Sequence, residues 1–148
     1  MSRRMGQEAL DVACEWMKHS NHAELEIRSF EHRGETQILL LTAGFDLCYS
    51  HELELEFSEV SHIDLPVRFE GRNVRRATPG ERAAFHETVG IDDEDTLFVF
   101  EARNVGPGPD ARVFHVVAQE VAATPGLVFH YLREDLKEGE RIAPWVLK

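Results

Sequence analysis

Histidine, tyrosine and arginine side chains on otherwise apolar strand faces are the residues of this chain best suited to chemistry. Of its eight histidines, His51 and His115 alternate in phase with apolar neighbours on predicted strands. A polar ring on an apolar face must find a hydrogen-bond partner. Together with Tyr49, Tyr131 and Arg133, these rings could line a polar pocket for a small molecule or an unrecognised enzyme. The favoured alternative is that each ring bonds a nearby carbonyl or lies at a sheet edge, because alternation does not show convergence.

Recognisable metal-binding and nucleophile motifs are missing from the sequence. It contains no His-x-x-x-His and no Cys-x-x-Cys, and neither Cys14 nor Cys48 has a histidine at a recognised zinc spacing. His62 and Asp64 share a predicted strand face and could supply two ligands, but such pairs arise easily by chance. No Gly-x-Ser-x-Gly nucleophile motif is present. The sequence therefore predicts no metal, no cofactor and no catalytic residue.

Carboxylates dominate the charge of the chain, which has a formal net charge of -11 at pH 7. Glu52, Glu54 and Glu56 are spaced two apart and would share one strand face, where water screens their mutual repulsion. One interpretation is a solvated face, and the other is an acidic docking surface for a basic protein partner. The net charge disfavours nucleic acid and anionic lipid as partners, since it repels phosphate at long range.

A local group of arginines departs from this acidic balance and precedes the second predicted helix. With the exposed amides of that helix, Arg75 and Arg76 could hold a phosphate or a carboxylate. The surplus of carboxylates favours ion pairs with the acidic sheet face instead. The full group is Arg68, Arg72, Arg75, Arg76 and Arg82.

An amphipathic helix is the first element that must position these residues, and it is predicted over residues 6–19. Its acidic residues Glu8, Asp11 and Glu15 interrupt any apolar segment that a signal peptide would need. No apolar run approaches the roughly 20 residues of a membrane span. Two cysteines are too few for a disulfide framework, so a cytoplasmic location is predicted. The apolar stripe follows the i, i+3, i+4, i+7 spacing of one helix face, at Leu10, Ala13, Cys14 and Met17.

Alternating segments that favour strands follow this helix. Residues 23–32 and 36–43 flank a short connection containing glycine and are predicted to form a hairpin. In the run 47–65, leucine and phenylalanine alternate with glutamate and serine, which is typical of a half-solvated antiparallel strand. The alternation loses its phase at Val60. We therefore expect a bulge or a sharp bend near residues 58–60.

The second half of the chain predicts a short helix and a meander of strands. The sequence Thr-Pro-Gly-Glu at 78–81 supplies an N-cap, a proline at the first helical position and the partner of a capping box. Residues 96–103 contain four consecutive apolar residues, which is typical of a central strand covered on both faces. Two further strands are expected at 112–119 and 127–133, after Pro-Gly turns at 106–110 and 124–126.

These elements predict one α+β domain over residues 1–148. Its sheet is expected to be curved and mostly antiparallel, with about seven strands, and it could close in part into a barrel. The N-terminal helix would cover the sheet, and the second helix would be short. Nothing alternates as βαβ and no dinucleotide fingerprint is present, so a parallel Rossmann-like sheet is excluded.

Two stretches of the sequence carry a resemblance. Residues 21–44 are NHAELEIRSFEHRGETQILLLTAG, and residues 51–74 are HELELEFSEVSHIDLPVRFEGRNV. A His/Asp-Ala-Glu lead into the first strand, with Asn21 where Asp is expected, and the Phe-x-x-Val of Phe57 and Val60 resemble small β-rich bacterial domains grouped with immunity proteins of polymorphic toxin systems. The resemblance implies a binding protein that neutralises a cognate toxin by surface complementarity. It carries over no catalytic residue.

The leading hypothesis is a cytoplasmic, non-enzymatic binding domain. Its acidic face, with Glu52, Glu54 and Glu56, would meet a basic protein partner. The rival hypothesis is a small-molecule-binding domain or an enzyme that uses the His51 and His115 pocket. A third is a structural subunit that associates with itself through an exposed edge strand. The sequence leaves the oligomeric state open.

Overall fold

The computed structural model describes residues 3–20, 23–103 and 111–147 of the chain. This part of the chain folds as α+β, with two α-helices and ten strands in one sheet. None of its helices has the length and apolar character needed to cross a membrane. The elements are β1 (Arg4–Met5), α1 (Gly6–Lys18), β2 (Glu24–Arg33), β3 (Thr36–Gly44), β4 (Ser50–Ser58), β5 (His62–Asp64), β6 (Arg68–Arg76), α2 (Pro79–Thr88), β7 (Thr96–Arg103), β8 (Ala111–Ala118), β9 (Glu120–Phe129), β10 (Arg141–Ile142) and a 3-10 helix (Pro144–Val146).

The sheet has the strand order β1-β9-β4-β3-β2-β6-β7-β8-β5, with β10 added on β9. Neighbouring strands in this order are antiparallel, and β10 runs parallel to β9. The antiparallel sheet was predicted, but the number of strands is ten rather than about seven. Strands β1, β5 and β10 have only two or three residues each, which is too short for an alternation of side chains to be recognised.

The sheet is curved, since α1 can contact both β6 and β9 although these strands lie four positions apart in the strand order. Two bends in the chain follow this curvature. Strand β8 continues into β9 through Gln119, whose N–H donates to the carbonyl of Ser58 at 3.0 Å. Between β4 and β5, Glu59 adopts a left-handed φ of 55°, which confirms the bend expected near residues 58–60. Within the described residues the order is open, ending at β1 and β5, so the sheet is not a closed barrel.

Two helices cover different parts of the sheet. The buried side of α1 joins the main core, where Phe57, Phe98 and Phe100 pack edge to face. On α2, Phe85 packs against a second, smaller cluster that includes Leu97 of β7. Strand β7 is therefore central and covered on both faces, as its run of apolar residues predicts.

The Pro-Gly sequence at 125–126 does not form the predicted turn. Strand β9 runs through it without interruption from Glu120 to Phe129. Pro125 lies opposite Leu53 at a shift of register, where a residue without an N–H is tolerated in a sheet. Gly126 has a φ of 137°, a conformation that favours glycine. The other predicted turn, at 106–110, lies outside the described residues.

Candidate functional site

The polar side chains of β4 lie beside an irregularity in the pairing of β4 with β9. The register of β4 with β9 shifts between His51 and Leu53. The Nε2 of His51 lies 2.8 Å from a carboxylate oxygen of Glu54, while Glu52 accepts a hydrogen bond from Trp16 of α1 at 3.2 Å. The extra residue lies on β9, where the three steps from Val128 to Pro125 oppose two steps on β4, and the burial of β4 alternates as predicted from His51 to Phe57. His51 thus contacts Glu54, and Glu52 contacts α1.

The three glutamates of β4 have different partners. Glu54 binds Arg141 of β10 at 2.7 Å. Glu56 lies 3.4 Å from Arg3 and 4.0 Å from Arg33. Arginines therefore offset the charge of Glu54 and Glu56, and only Glu52 stays on the side of α1.

His51 and His130 form a pair beside Glu54, in which His130 is half-buried. His51 is fully buried, and its Nδ1 lies 2.7 Å from the Nε2 of His130 at the end of β9. The Nδ1 of His130 lies 3.0 Å from the carbonyl oxygen of Leu47. All four ring nitrogens of the pair thus have a partner. No group of three or more His, Cys, Asp and Glu is placed to hold a metal ion in the part of the chain that the structure describes.

The C-terminal segment, residues 141–147, covers this pair. The Trp145 ring stacks on His51, with centroids 6.1 Å apart and an angle of 22°, and lies 5.2 Å from the ring of His130. The Arg28 guanidinium lies 4.7 Å from the centre of the Trp145 ring, a cation–π arrangement. A cleft of about 490 Å³ opens beside the segment and is lined by Arg28, Ser29, Glu31, Arg33, Leu40, Glu54, Glu56, Arg141, Pro144 and Trp145.

The surroundings of Glu54 and His130 shift the pKa of each group. Burial raises the pKa of Glu54, but the hydrogen bond from His51 and the charge of Arg141 outweigh burial and leave this pKa below its ordinary value. Burial lowers the pKa of His130, and the charges of His51 and Arg28 lower it further. Glu54 is therefore ionised at neutral pH, and His130 is neutral.

The predicted pocket of histidine and tyrosine does not form as a set. His115 of β8 lies 3.4 Å from a carboxylate oxygen of Asp64 and packs on Phe85 of α2, with ring centres 4.9 Å apart. Tyr49 is 62% exposed, in the turn before β4. Each of these two rings thus has surroundings different from those of the buried His51.

Tyr131 and Arg133 contact each other, but they lie beyond the end of β9 rather than on the predicted strand 127–133. The guanidinium of Arg133 donates to the Tyr131 hydroxyl at 3.3 Å and to Asp135. Sequence reasoning missed His130, because a strand that begins after a turn at 124–126 places position 130 on the face opposite to 131 and 133. No pattern in the sequence indicates that Trp145 covers it.

Of the arginines before α2, Arg68 and Arg75 are engaged in ion pairs. Arg75 donates to Glu81 at 2.6 and 3.0 Å and to Glu101 at 2.9 Å, so its guanidinium is not available for a phosphate. The hydrogen bond from Arg75, aided by the backbone N–H of Thr78, lowers the pKa of Glu81 to about 2. Arg76 is exposed and lies over the Phe98 ring at 6.0 Å. Arg75 thus pairs with carboxylates of α2 and β7 and not with the glutamates of β4.

A groove of about 720 Å³ runs along α1, and we call it the α1 groove. Its apolar lining comes from Val12, Trp16, Phe45 and Pro125, and the Trp16 and Phe45 rings lie 6.3 Å apart. Four carboxylates border it, and no Lys or Arg is among its described lining residues. The complete lining is Glu8, Asp11, Val12, Glu15, Trp16, His19, Ser20, Phe45, Glu52 and Pro125.

The carboxylates of the α1 groove have few strong partners. Glu8 pairs with Arg4 and Glu15 with His19, each at 2.6 Å between exposed side chains, and such pairs contribute little. Asp11 accepts a hydrogen bond from the neutral amide of Gln7. The groove therefore keeps a negative border around an apolar floor.

No protein-family model, no curated protein and no solved structure matches this chain. What the α1 groove and the histidine pair do must therefore follow from their own chemistry. The groove can bind an apolar group that carries positive charge, and the pair can hold a proton.

Proposed function

We propose that this protein is a non-enzymatic binding protein whose α1 groove receives a basic segment of a protein partner. The observation that carries the proposal is the combination of an apolar floor with a border of carboxylates and no described Lys or Arg. Such a surface attracts cations at long range and then buries their apolar stems. The acidic docking surface expected on β4 thus moves to α1, and of the three glutamates only Glu52 belongs to it.

The spacing of the groove suits an amphipathic helix as the partner segment. Glu8, Asp11 and Glu15 have the i, i+3, i+7 spacing of one helix face, so they extend over about 10 Å, or two turns. A partner helix that repeats apolar and basic residues with the same period can place its apolar face on Trp16 and Phe45. Its Lys or Arg side chains then reach the carboxylates.

Trp16 is the residue we expect to dominate the binding energy. Tryptophan is enriched among residues whose truncation costs most at interfaces. Its indole N–H donates to Glu52, which holds the ring in place at the wall of the groove. A pre-positioned ring loses less side-chain entropy on binding.

A cognate toxin with a basic contact surface, the partner class implied by the resemblance to immunity proteins, meets this description. We place the protein in the cytoplasm as part of the same proposal. Cys14 and Cys48 are both free thiols, which is consistent with a reducing compartment.

The test is the binding of a synthetic amphipathic helical peptide of leucine and lysine. Binding is detected through the NMR signal of the Trp16 indole N–H. We expect the double variant Asp11→Lys, Glu15→Lys to weaken binding by at least about tenfold at low salt, mainly through a slower association rate. Added salt should reduce the affinity of the unmodified protein and narrow this difference.

The matched control is Asp93→Lys, Glu94→Lys, which changes the net charge equally in an exposed loop before β7. It should retain most of the affinity. Equal weakening by both double variants would show that only net charge acts and would refute the groove as the binding site. An unmoved Trp16 signal on peptide binding would refute it as well.

A further inference from the structure

We propose that His51 and His130 form a buried site for one proton, which the two rings share, and that this charge holds the C-terminal segment 141–147 on the sheet. The site lies on β4 and β9 away from the α1 groove, and the proposal is independent of the protein partner. It rests on the hydrogen bonds of the two rings and on what covers them.

Three contacts pass through the two rings, and each needs one proton. The carbonyl oxygen of Leu47 only accepts, so the Nδ1 of His130 carries a proton. The ionised carboxylate of Glu54 only accepts as well, so the Nε2 of His51 carries the second. The 2.7 Å contact between the two rings needs the third. Two neutral imidazoles have two N–H protons, so this pair holds one more and has a single positive charge.

An uncharged pair would need a protonated Glu54 that donates to His51. The surroundings of Glu54 oppose that state, because Arg141 binds the same carboxylate oxygen at 2.7 Å. The pKa of Glu54 below its ordinary value agrees with an ionised group. The low pKa of His130 leaves the extra proton on His51, which donates it to His130. The buried charge is therefore paired on one side and hydrogen-bonded on the other, as burial of an ion requires.

Loss of the shared proton would place two nitrogen lone pairs face to face at 2.7 Å. The rings would then have to move apart, and Trp145 packs on both of them. Glu54 would also lose its positively charged histidine partner and would retain Arg141. The C-terminal segment is thus held while the pair is charged and loosened when the pair loses its proton. The charged groups that face the pair are Glu54 of β4, Arg141 of β10, and Arg28 and Glu26 of β2.

The experiment is NMR of the side-chain nitrogens of the full chain labelled with nitrogen-15. We expect both nitrogens of His51 to be protonated at neutral pH, His130 to be protonated at Nδ1 alone, and a scalar coupling across the N–H···N bond. On raising the pH from about 6 to about 10, the coupling should disappear in one transition. The indole signal of Trp145 and the amide signals of residues 141–147 should shift in that same transition.

A variant and its control test the role of the counter-charge. Glu54→Gln keeps the size of the side chain but removes its charge, so the shared proton should leave at a pH lower by about 1 to 3 units. Asp64→Asn removes the carboxylate beside His115 and should leave the coupling between His51 and His130 unchanged.

Three outcomes would overturn the proposal. Two singly protonated rings without coupling would exclude a shared proton. A Trp145 signal that does not shift in this transition would exclude a role of the shared proton in holding the segment. A retained metal ion in the native mass spectrum, lost in His51→Asn, would show that a metal rather than a proton lies between the rings.

Discussion

The side chain of His130 makes the stability of the folded protein depend on pH in the acid range. Burial and the nearby cations His51 and Arg28 lower its pKa. It is neutral in the folded protein at a pH where an unfolded histidine is already taking up a proton. By linkage, the unfolded state then binds more protons than the folded state, and acid favours unfolding.

The free energy of unfolding should therefore decrease as the pH is lowered from about 6.5, the ordinary pKa of histidine, to about 5. For a base with a lowered pKa, the stabilisation is present above the unfolded pKa and is lost as the pH falls through the folded one. One proton accounts for a slope of up to about 1.4 kcal/mol per pH unit. Urea denaturation at a series of pH values measures it.

The control for this effect is His130→Gln, in which the titrating group is gone and the slope over that range should flatten. His32→Gln, at an exposed position of β2, should keep the slope of the unmodified protein. Equal slopes in the unmodified protein and in His130→Gln would contradict the assignment to His130.

At the scale of elements, α1 packs against β6 beside a glycine that leaves no room for a side chain. Gly71 of β6 faces Leu25 and Met17 at this contact, and a Cβ added to Gly71 would lie 2.5 Å from the Leu25 Cδ1 and 3.1 Å from the Met17 Sδ. Leu25 is fully buried and has little room to move. A side chain at position 71 must therefore displace Leu25 of β2 and Met17 of α1.

Gly71→Ala is expected to lower the free energy of unfolding by about 1 to 3 kcal/mol, the usual range for overpacking a core. Gly80→Ala is the matched control, since a Cβ there meets nothing within 4 Å and alanine favours helix α2 by up to about 1 kcal/mol. Urea denaturation of both variants measures the contrast. An unchanged stability for Gly71→Ala would mean that the core around Gly71 can rearrange without cost.

Elements with a strong local signal could be predicted from the sequence. The hairpin of β2 and β3 and the capping box of α2, where Thr78 and Glu81 bond reciprocally, depend on neighbouring residues alone. The Pro-Gly of β9 was misjudged because the same two residues suit a turn or a bulge, and only the pairing of Pro125 with Leu53 decides between them.

The candidate site was predicted less well than the fold, for a related reason. The polar character of His51 and Glu54 could be recognised from sequence. Their contact with each other could not, since strict alternation places two residues three apart on opposite faces of a strand. His130 and Trp145 come from distant parts of the chain, and no spacing in the sequence links them to His51.

At the scale of the whole molecule, residues 141–147 pack on the sheet and contact residues from distant parts of the chain. Arg141 binds Glu54, the N–H of Ala143 donates to Phe129 at 2.9 Å, and Trp145 covers the buried His51. Without this segment, a buried charge would lose both its cover and part of its network.

Deletion of residues 141–148 should therefore lower the free energy of unfolding by about 3 to 5 kcal/mol, the cost of breaking a buried ionic network. Trp145→Phe keeps an aromatic cover and should cost less than half of that. Differential scanning calorimetry of the two variants compares them. A shortened chain as stable as the full one would show that the segment contributes nothing to the fold.

The pairing of β4 with β9 also has a consequence for synthesis on the ribosome. Ser58 pairs with Glu120. One edge of β4 therefore stays unpaired until roughly 60 further residues have been translated, and pairs so distant in sequence form slowly. An unpaired strand edge invites association between nascent chains. Glu54 and Glu56 lie on β4, and charged side chains on a strand disfavour such association. We therefore expect neutral residues at these two positions to increase aggregation during synthesis.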